Sequence, residues 1–395
     1  MDKLKNISLK NKKVLVRVDF NVPLDDNFSI TDDSRIVRAL PTIKKIISDG
    51  GKAIVISHLG RPKGVAQDCF SLKHIVNHLS FLLNQPIVFC DSCVGIKAKR
   101  AIKLMKSGEV IVLENLRFHK EEELGDLAFS NQLSELADVY INDAFGVSHR
   151  NHSSVSGIAN FFKEKYYGFL LNTELRSLNK CFNSPSRPLT AIIGGAKISG
   201  KIEVIESLLN KVDCLIIGGG MSYTFAKALG GDVGISLLEP EKVDLAKSLV
   251  EKAQKKGVNL LLPIDSLNSY EFSDNKNPQV SDISLIDPKQ MGLDIGPKTI
   301  RVFTDAILES GTIIWNGPMG VFEFENFSVG TKKIAESVVR ASKKGAFSLV
   351  GGGDTVAAIK KYNLSSGVSY ISTGGGAMLE FLEGKELPGV ASLKK

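Results

Sequence analysis

The sequence predicts an α/β protein built from two doubly wound parallel sheets flanked by helices. Three observations carry that prediction. Apolar, β-prone runs alternate with helix-period segments along the chain. The runs close on glycine, Asn or Asp, the residues of tight strand-to-helix turns. They also form two series whose ends carry different chemistry.

The first series is "KVLVRVDF", "KAIVISH", "PIVFC", "EVIVLEN" and "DVYINDAF". The second is "LTAIIGG", "DCLIIGGG", "VNLLLP", "GTIIWNG", "AFSLVGGG" and "SYISTGGG". Pro263 makes "VNLLLP" a poor central strand. Helix-period segments include 32–49, 71–84, 199–210, 240–256 and 327–343. The stretch 160–183 reads as one long helix between the two series, followed by a loop with Pro185 and Pro188. The expected domains are 1–165 with the tail 384–395, an interdomain helix over 166–183, and 184–383. The series share a rhythm but no sequence repeat.

A chain of 395 residues is long enough for two or three domains, and 43% hydrophobic with 24% charged residues fits a soluble globular protein. No apolar run is long enough to span a bilayer, and no signal core of the right length precedes the first strand, so a cytoplasmic protein is expected. The five cysteines are an odd number and argue against a disulfide framework. Cys90 and Cys93 form one C-x-x-C without a second pair at zinc spacing, and read as ordinary thiols. The net charge of +7 suits a small anionic substrate. The basic run 97–106 reads as an amphipathic helix with Ile96, Ile102 and Met105 on its buried side. It lacks interleaved aromatics, so neither nucleic acid nor membrane is expected as a partner.

In the first series the strand ends are charged: Arg17, Asp19 and Asn21; His58 and Arg61; Arg117; Asp143, His149, Arg150 and His152. Arg35 follows at a helix start. Ligands of doubly wound sheets bind beyond the carboxyl ends of the strands, and arginine forks suit phosphate and carboxylate. In the second series "GGAK", "GGGM", "NGPMG", "GGGDT" and "TGGGA" close five strands. Glycine turns admit close approach of a ligand, and helix N-termini favour phosphate. Asp354, in "GGGDT", is a magnesium ligand beside phosphates or, alternatively, a helix N-cap. An anion-gripping half and a nucleotide half together suggest group transfer with closure that excludes water.

The stretch "GGAKISGKI", 194–202, spells G-x-x-x-x-G-K from Gly195. A P-loop needs Ser or Thr next, and Ile202 stands there, so the match is fortuitous. Ile202, Ile205 and Leu209 fall at helix spacing and place Ile202 toward the core. Lys197 and Lys201, four residues apart, would share one helical face.

The motifs "VRVDFNVP", "SHLGRP", "LENLRF", "NDAFG…HR", "GGAKISGKI", "MGLDIGP", "NGPMGVFE", "GGGDT" and "EGKELPG" together resemble the phosphoglycerate kinase family, from about residue 5 to 392. The resemblance implies two Rossmann-like domains joined by an interdomain helix and hinge, a monomer, and Mg²⁺ with ATP or ADP as co-substrate. It implies reversible phosphoryl transfer from 1,3-bisphosphoglycerate to ADP, giving 3-phosphoglycerate and ATP. It assigns Asp19, Asn21, Arg35, His58, Leu59, Gly60, Arg61, Arg117 and Arg150 to 3-phosphoglycerate. It assigns Lys201, Gly292, Glu323, Gly352, Gly353, Asp354 and Thr355 to the nucleotide, with Glu323 on the ribose and Asp354 on the metal. Arg35 and Lys197 would stabilise the phosphoryl group in flight. Two positions depart from the family's habit: Ser153, more often Ala, and Gly200, commonly acidic.

That chemistry needs no general base, because the acceptor is a phosphate oxygen of ADP, so His58 and His149 are not read as bases. A nicotinamide-dependent dehydrogenase would need G-x-G-x-x-G, and "GGGMSY" fails at its sixth position. A non-catalytic scaffold would be expected to have lost Arg35, Lys197 or Asp354, and all three are present.

Overall fold

The computed structural model describes residues 3–274 and 277–394. The chain forms two compact units. One runs up to Arg176 and takes in the chain from Glu386 on; the other is Ser177–Lys385.

The first unit holds a six-stranded parallel sheet. Its spatial order is Ile87–Cys90, Val110–Leu113, Lys52–Ile56, Lys13–Arg17, Val139–Asn142 and Glu164–Tyr167. Every residue of Val110–Leu113 and of Val139–Asn142 is buried. Such continuous runs mark strands covered on both faces. Alternate side chains feed two cores: Val14 and Val16 pack with Ile36 and Ile43 on one face, and Leu15 packs with Ile54, Leu133 and Tyr140 on the other.

The second unit repeats the plan. Its sheet runs Asn259–Leu261, Cys214–Ile217, Leu189–Ile193, Thr312–Asn316, Phe347–Gly351 and Tyr370–Ile371, all parallel. Trp315 and Ile192 anchor its core. Asn259–Leu261 is an edge strand, which is where the nearby Pro263 is tolerated. A three-stranded antiparallel sheet, Gln279–Asp282, Asp265–Ser269 and Met291–Ile295, is added to this unit.

Each main sheet reverses its strand order at the centre. In the first, the chain begins at Lys13–Arg17, moves to one side through Lys52–Ile56, and returns to the other side with Val139–Asn142. In the second, Leu189–Ile193 has Cys214–Ile217 on one side and Thr312–Asn316 on the other. A reversal of this kind leaves a crevice at the carboxyl ends of the central strands.

Three local expectations are corrected. The stretch 160–183 is not one helix. It comprises a 3₁₀ turn, Gly157–Phe161, the edge strand Glu164–Tyr167, and a helix over Phe169–Asn183. The tyrosine pair in "EKYYG" pairs as strand, and Gly168 ends it, its N–H donating to Asn142 O at 2.8 Å. The helix Gly95–Leu104 buries Ala98 and Ile102, but Ile96 in its first turn is 86% exposed. The helix after "GGAK" spans only Ile202–Leu208, with Lys201 as its N-cap residue. Lys197 and Lys201 therefore do not share a helical face. Ile202 is half-buried, and the core positions are Ile198, Val204, Ile205, Leu208 and Leu209.

The helix Phe169–Asn183 carries the chain from one unit into the other. Its first N–H groups are held by side chains of the first unit: Phe169 N donates to Thr42 Oγ1 at 2.9 Å and Leu171 N to Asp143 Oδ1 at 3.1 Å. The C-terminal residues pack on the same strand ends, with Asn142 Nδ2 donating to Gly389 O at 3.0 Å and Tyr167 Oη to Val390 O at 2.9 Å.

Asp143 is fully buried, and burial pushes its carboxyl from its ordinary 3.8 up to about 6, despite the Thr42, Leu171 and Leu170 donors. The folded state therefore keeps this proton at pH values where the unfolded chain has lost it. The associated stability is present below about pH 4 and lost as pH rises to about 6, at most about 3 kcal/mol. Asp143→Asn mimics the protonated form. Its melting temperature should gain on that of the wild type between pH 4 and 6 and hold a constant lead above. Parallel melting curves over that range would contradict this.

Candidate active site

At the carboxyl ends of the first sheet, Asp19, Asn21, Arg35, His58, Gly60 and Arg117 come together. Arg35, in the first turn of the helix Ser34–Ser48, donates from Nη1 to Asn21 O at 2.8 Å and lies 3.4 Å from Asp19. Asn21 Oδ1 accepts from Gly60 N at 2.8 Å, and Gly60 O accepts from Arg117 Nη1, also at 2.8 Å. Arg117 sits in the 3₁₀ turn Leu116–Phe118. That turn is fixed by Asn115, whose side chain accepts from Arg117 N and donates to Leu59 O and Phe70 O. Asp19, His58, Leu59 and Arg117 are buried, Asn21, Arg35, Gly60 and Arg150 half-buried, and Arg61 exposed.

Positive charge exceeds what the carboxylates offset. Arg117 is 3% exposed, and burial lowers its guanidinium to about 10, against the attraction of Glu123 at 3.3 Å. Burial, reinforced by Arg17, Arg117 and Arg35, drives His58 far below its ordinary value, and burial with the neighbouring arginines brings His152 to about 3. Both histidines are neutral near pH 7. Three buried nitrogens here make no hydrogen bond: Arg117 Nε, His149 Nδ1 and His152 Nδ1. Buried polar atoms are normally paired. Of these three, Arg117 Nε faces the Glu123 carboxylate at 3.3 Å and His152 Nδ1 lies 3.7 Å from Glu122, so it is the surplus of guanidinium charge that suits a small anion.

Arg17 and Asp143 belong to the frame and not to the pocket lining. Arg17 closes its strand one step before the chain leaves the sheet. It is fully buried and bonded to Ser154, Val18 O and His58. No motif or spacing in the sequence points to Glu122 or Ser154 in this frame. Ser153, the departure from family habit, donates to Glu121 O at 2.8 Å and Asp126 O at 2.9 Å, so its hydroxyl is used locally.

In the second unit the glycine turns lie backbone on backbone. Gly194 N donates to Asn316 O at 2.9 Å, Gly195 N to Pro318 O at 3.1 Å, Gly219 N to Met319 O at 3.1 Å, and Met221 N to Gly195 O at 3.1 Å. A Cβ on Gly194 would stand 2.1 Å from Pro318 O, so no other residue fits there. Beside these turns lies a cavity of about 270 Å³. Its walls include Tyr223, Leu237, Phe272, Gly292, Leu293 and Phe322, with the carboxylates of Glu323 and Asp354 also on its lining. A Cβ on Gly292 would meet Tyr223 Oη at 2.1 Å. Apolar, flat walls with two acidic groups match a nucleotide's base, ribose and metal-bearing phosphates. A larger cavity of about 430 Å³, near Lys227, Asp232 and Leu285, carries none of the strand-end groups.

The loop after Leu189–Ile193 is tied down at its buried Ile198. Glu239 accepts from Ile198 N at 2.6 Å and from Ser199 N at 3.2 Å, leaving Lys197 exposed. A Cβ on Gly200 would meet nothing within 4 Å, so glycine is not required there. Lys201 Nζ donates to Asn316 Oδ1, and burial lowers its ammonium, opposed by Asp354 and Glu383. Asn316, missed in the sequence, also donates to Gly351 O at 3.1 Å. Its place at a strand end, like that of Asn21, was the available signal. Thr355 Oγ1 accepts from Gly317 N at 2.6 Å, so this hydroxyl braces the turn.

Asp354 is not an N-cap. Gly352, at φ +92°, holds that position, and Asp354 is exposed in the first turn of the helix Gly353–Lys361. Among the described residues no three His, Cys, Asp or Glu side chains cluster as a metal site. A lone exposed carboxylate at a helix N-terminus still fits Mg²⁺, which commonly takes one or two carboxylates and completes its shell with water and substrate phosphates.

A model of the phosphoglycerate kinase family matches residues 4–385. The chain is 50% identical over 416 aligned residues to a phosphoglycerate kinase of Porphyromonas gingivalis, covering 99% of both chains. It is 51% identical to one of Synechococcus sp., over 99% of this chain and 97% of the relative. Among solved structures, phosphoglycerate kinase from Coxiella burnetii superposes with a TM-score of 0.90 at 42% identity, covering 99% of this chain and 98% of that one. The Pyrococcus horikoshii enzyme superposes with a TM-score of 0.82 at 32% identity, covering 100% and 98%. With its fold, its strand-end groups and this likeness in agreement, the chain belongs to the phosphoglycerate kinase family.

Proposed function

We propose that this chain catalyses reversible, Mg²⁺-dependent transfer of a phosphoryl group from 1,3-bisphosphoglycerate to ADP, giving 3-phosphoglycerate and ATP, in glycolysis and gluconeogenesis. The observation that carries the reading is the division of chemistry in one chain. One unit holds buried and half-buried arginines around neutral histidines, and the other a glycine-lined cavity with two carboxylates.

In this reading Asp19, Asn21, Arg35, His58, Leu59, Gly60, Arg61, Arg117 and Arg150 bind 3-phosphoglycerate. Lys201, Gly292, Glu323, Gly352, Gly353, Asp354 and Thr355 bind the nucleotide. Glu323 accepts from the ribose hydroxyls, and Thr355 acts by holding its turn. Asp354 would hold Mg²⁺, which when bound offsets charge on the phosphate oxygens. Arg35 is the charge that the first unit offers to the phosphoryl group, and Lys197 is that of the second. The acyl phosphate is already reactive, so the residues contribute position and charge and no side chain takes a proton. A neutral His58 fits a hydrogen-bonding role. We further read the protein as a cytoplasmic monomer acting on small molecules. No helix of the described residues is long and apolar enough to cross a membrane.

A coupled assay of the purified protein with ATP, Mg²⁺ and 3-phosphoglycerate should show turnover, and an inactive, folded protein would sink the proposal. Lys197→Ala should cut kcat by roughly 10²–10³ with both ligands still bound, as for one preorganised charge donor. Near-normal turnover would remove Lys197 from its role. Asp354→Ala should weaken Mg–ADP binding in titration calorimetry and leave 3-phosphoglycerate affinity unchanged. Undiminished Mg–ADP affinity would move the metal elsewhere.

A further inference from the structure

Behind the arginine pocket runs a fully buried chain of polar groups. It begins at Glu122, the one buried residue of the short helix Lys120–Leu124. Both its oxygens are spent on one residue: Oε1 accepts from Ser154 Oγ at 2.6 Å and Oε2 from Ser154 N at 2.9 Å. The backbones join there too, Ser153 N donating to Glu122 O at 2.9 Å. Ser154 Oγ in turn accepts from Arg17 Nε at 2.9 Å. Arg17 Nη1 donates to Val18 O, and Arg17 Nη2 lies 3.2 Å from His58 Nδ1. Glu122, Ser154 and Arg17 are all 0% exposed, and His58 is 3% exposed.

The donor inventory fixes the direction of each bond. A guanidinium only donates, so His58 Nδ1 must accept from Arg17. A neutral imidazole with an accepting Nδ1 carries its proton on Nε2. Asp19 Oδ1 would favour the opposite tautomer, but at 3.9 Å from Nδ1 it is beyond hydrogen-bond reach. Arg17 can hold this geometry only while its own fork is held, and Ser154 is the side chain that holds Nε. Without that hydroxyl, Arg17 Nε and Glu122 Oε1 would each lose a partner while buried, a costly arrangement.

We infer that Glu122 and Ser154 are positioning residues for the 3-phosphoglycerate pocket: they lock the Arg17 guanidinium, which fixes His58 as an Nε2–H donor for the acidic substrate. The inference rests on the reading of this pocket given above. Neither Glu122 nor Ser154 need touch the ligand. The groups facing His58 are Arg17 from the strand Lys13–Arg17, Arg35 from the helix Ser34–Ser48, Arg117 from the 3₁₀ turn, Asp19 and His152. Those facing Glu122 are Arg17, Arg117, Ser154, Cys93, Tyr140 and His152, whose Nδ1 is 3.7 Å from Oε1.

The test uses the full chain labelled with ¹⁵N-histidine, read by long-range ¹H–¹⁵N correlation, with steady-state kinetics alongside. Wild-type His58 should be neutral and Nε2-protonated near pH 7, and 3-phosphoglycerate should shift its Nε2 signal. In Ser154→Ala and Glu122→Gln the Nδ1–H form should appear. KM for 3-phosphoglycerate should rise roughly 10-fold, the effect of one charge-assisted hydrogen bond, with KM for ATP unchanged. A wild-type His58 carrying its proton on Nδ1 overturns the network without any variant. A folded Ser154→Ala protein with wild-type tautomer and KM overturns it too, as does an equal rise in both KM values. An Nε2–H that 3-phosphoglycerate does not perturb contradicts the pocket reading instead, and removes the donor role with it.

Discussion

The constraint on which the chemistry depends is topological. Each parallel sheet reverses its strand order beside its first strand, and a crevice opens where neighbouring chains leave in opposite directions. The two units share this frame and differ in what fills it. In the first, long charged side chains enter from four strand ends. In the second, glycines let three turns interlock through their backbones, and the space that side chains would have taken becomes a cavity. The same fold thus yields an arginine-rich crevice once and a glycine-lined cavity once.

The first crevice is held in an unfavourable electrostatic state. Guanidinium groups and neutral histidines are buried together with few carboxylates. Burying charge without full pairing destabilises a fold. The frame behind the pocket compensates with a carboxylate, a hydroxyl and a guanidinium bonded in series. In the proposed function a small polyanion completes the arrangement, and its binding offsets that cost. In the second crevice burial also lowers the Lys201 ammonium, but its turns are held by backbone N–H groups and its walls are apolar.

Much of this was legible in the sequence. The strand series is clear because parallel strands buried on both faces are continuously apolar, and Asp19, His58, Arg117 and Asp354 stand just beyond their ends. What was misread was decided by a shift of a residue or two, or by tertiary contacts. Arg17 was grouped with its neighbours, yet one position earlier on the strand its side chain is still inside. Lys197 and Lys201 were given a helical phase, but Glu239 holds the loop open and the helix starts later. Tyr166 and Tyr167 fit a helix period in isolation and pair as strand because Asn142 offers an edge. The strands Asp265–Ser269 and Gln279–Asp282 are short and polar, with no apolar period to reveal them. Glu122 and Ser154 lie 32 residues apart, and no spacing rule joins them.

The central claim is that each crevice takes its own class of ligand. Hydrogen exchange of the full-length protein, read peptide by peptide with each ligand alone, tests it most directly. With 3-phosphoglycerate, protection should fall on peptides covering Asp19–Asn21, His58–Arg61 and Arg117, and leave the glycine turns unchanged. With Mg–ADP, it should fall on Gly194–Lys201, Gly292, Glu323 and Gly352–Thr355, and leave the arginine pocket unchanged. Protection of the glycine turns by 3-phosphoglycerate, or of the arginine pocket by Mg–ADP, with its own crevice unaffected, would contradict the account.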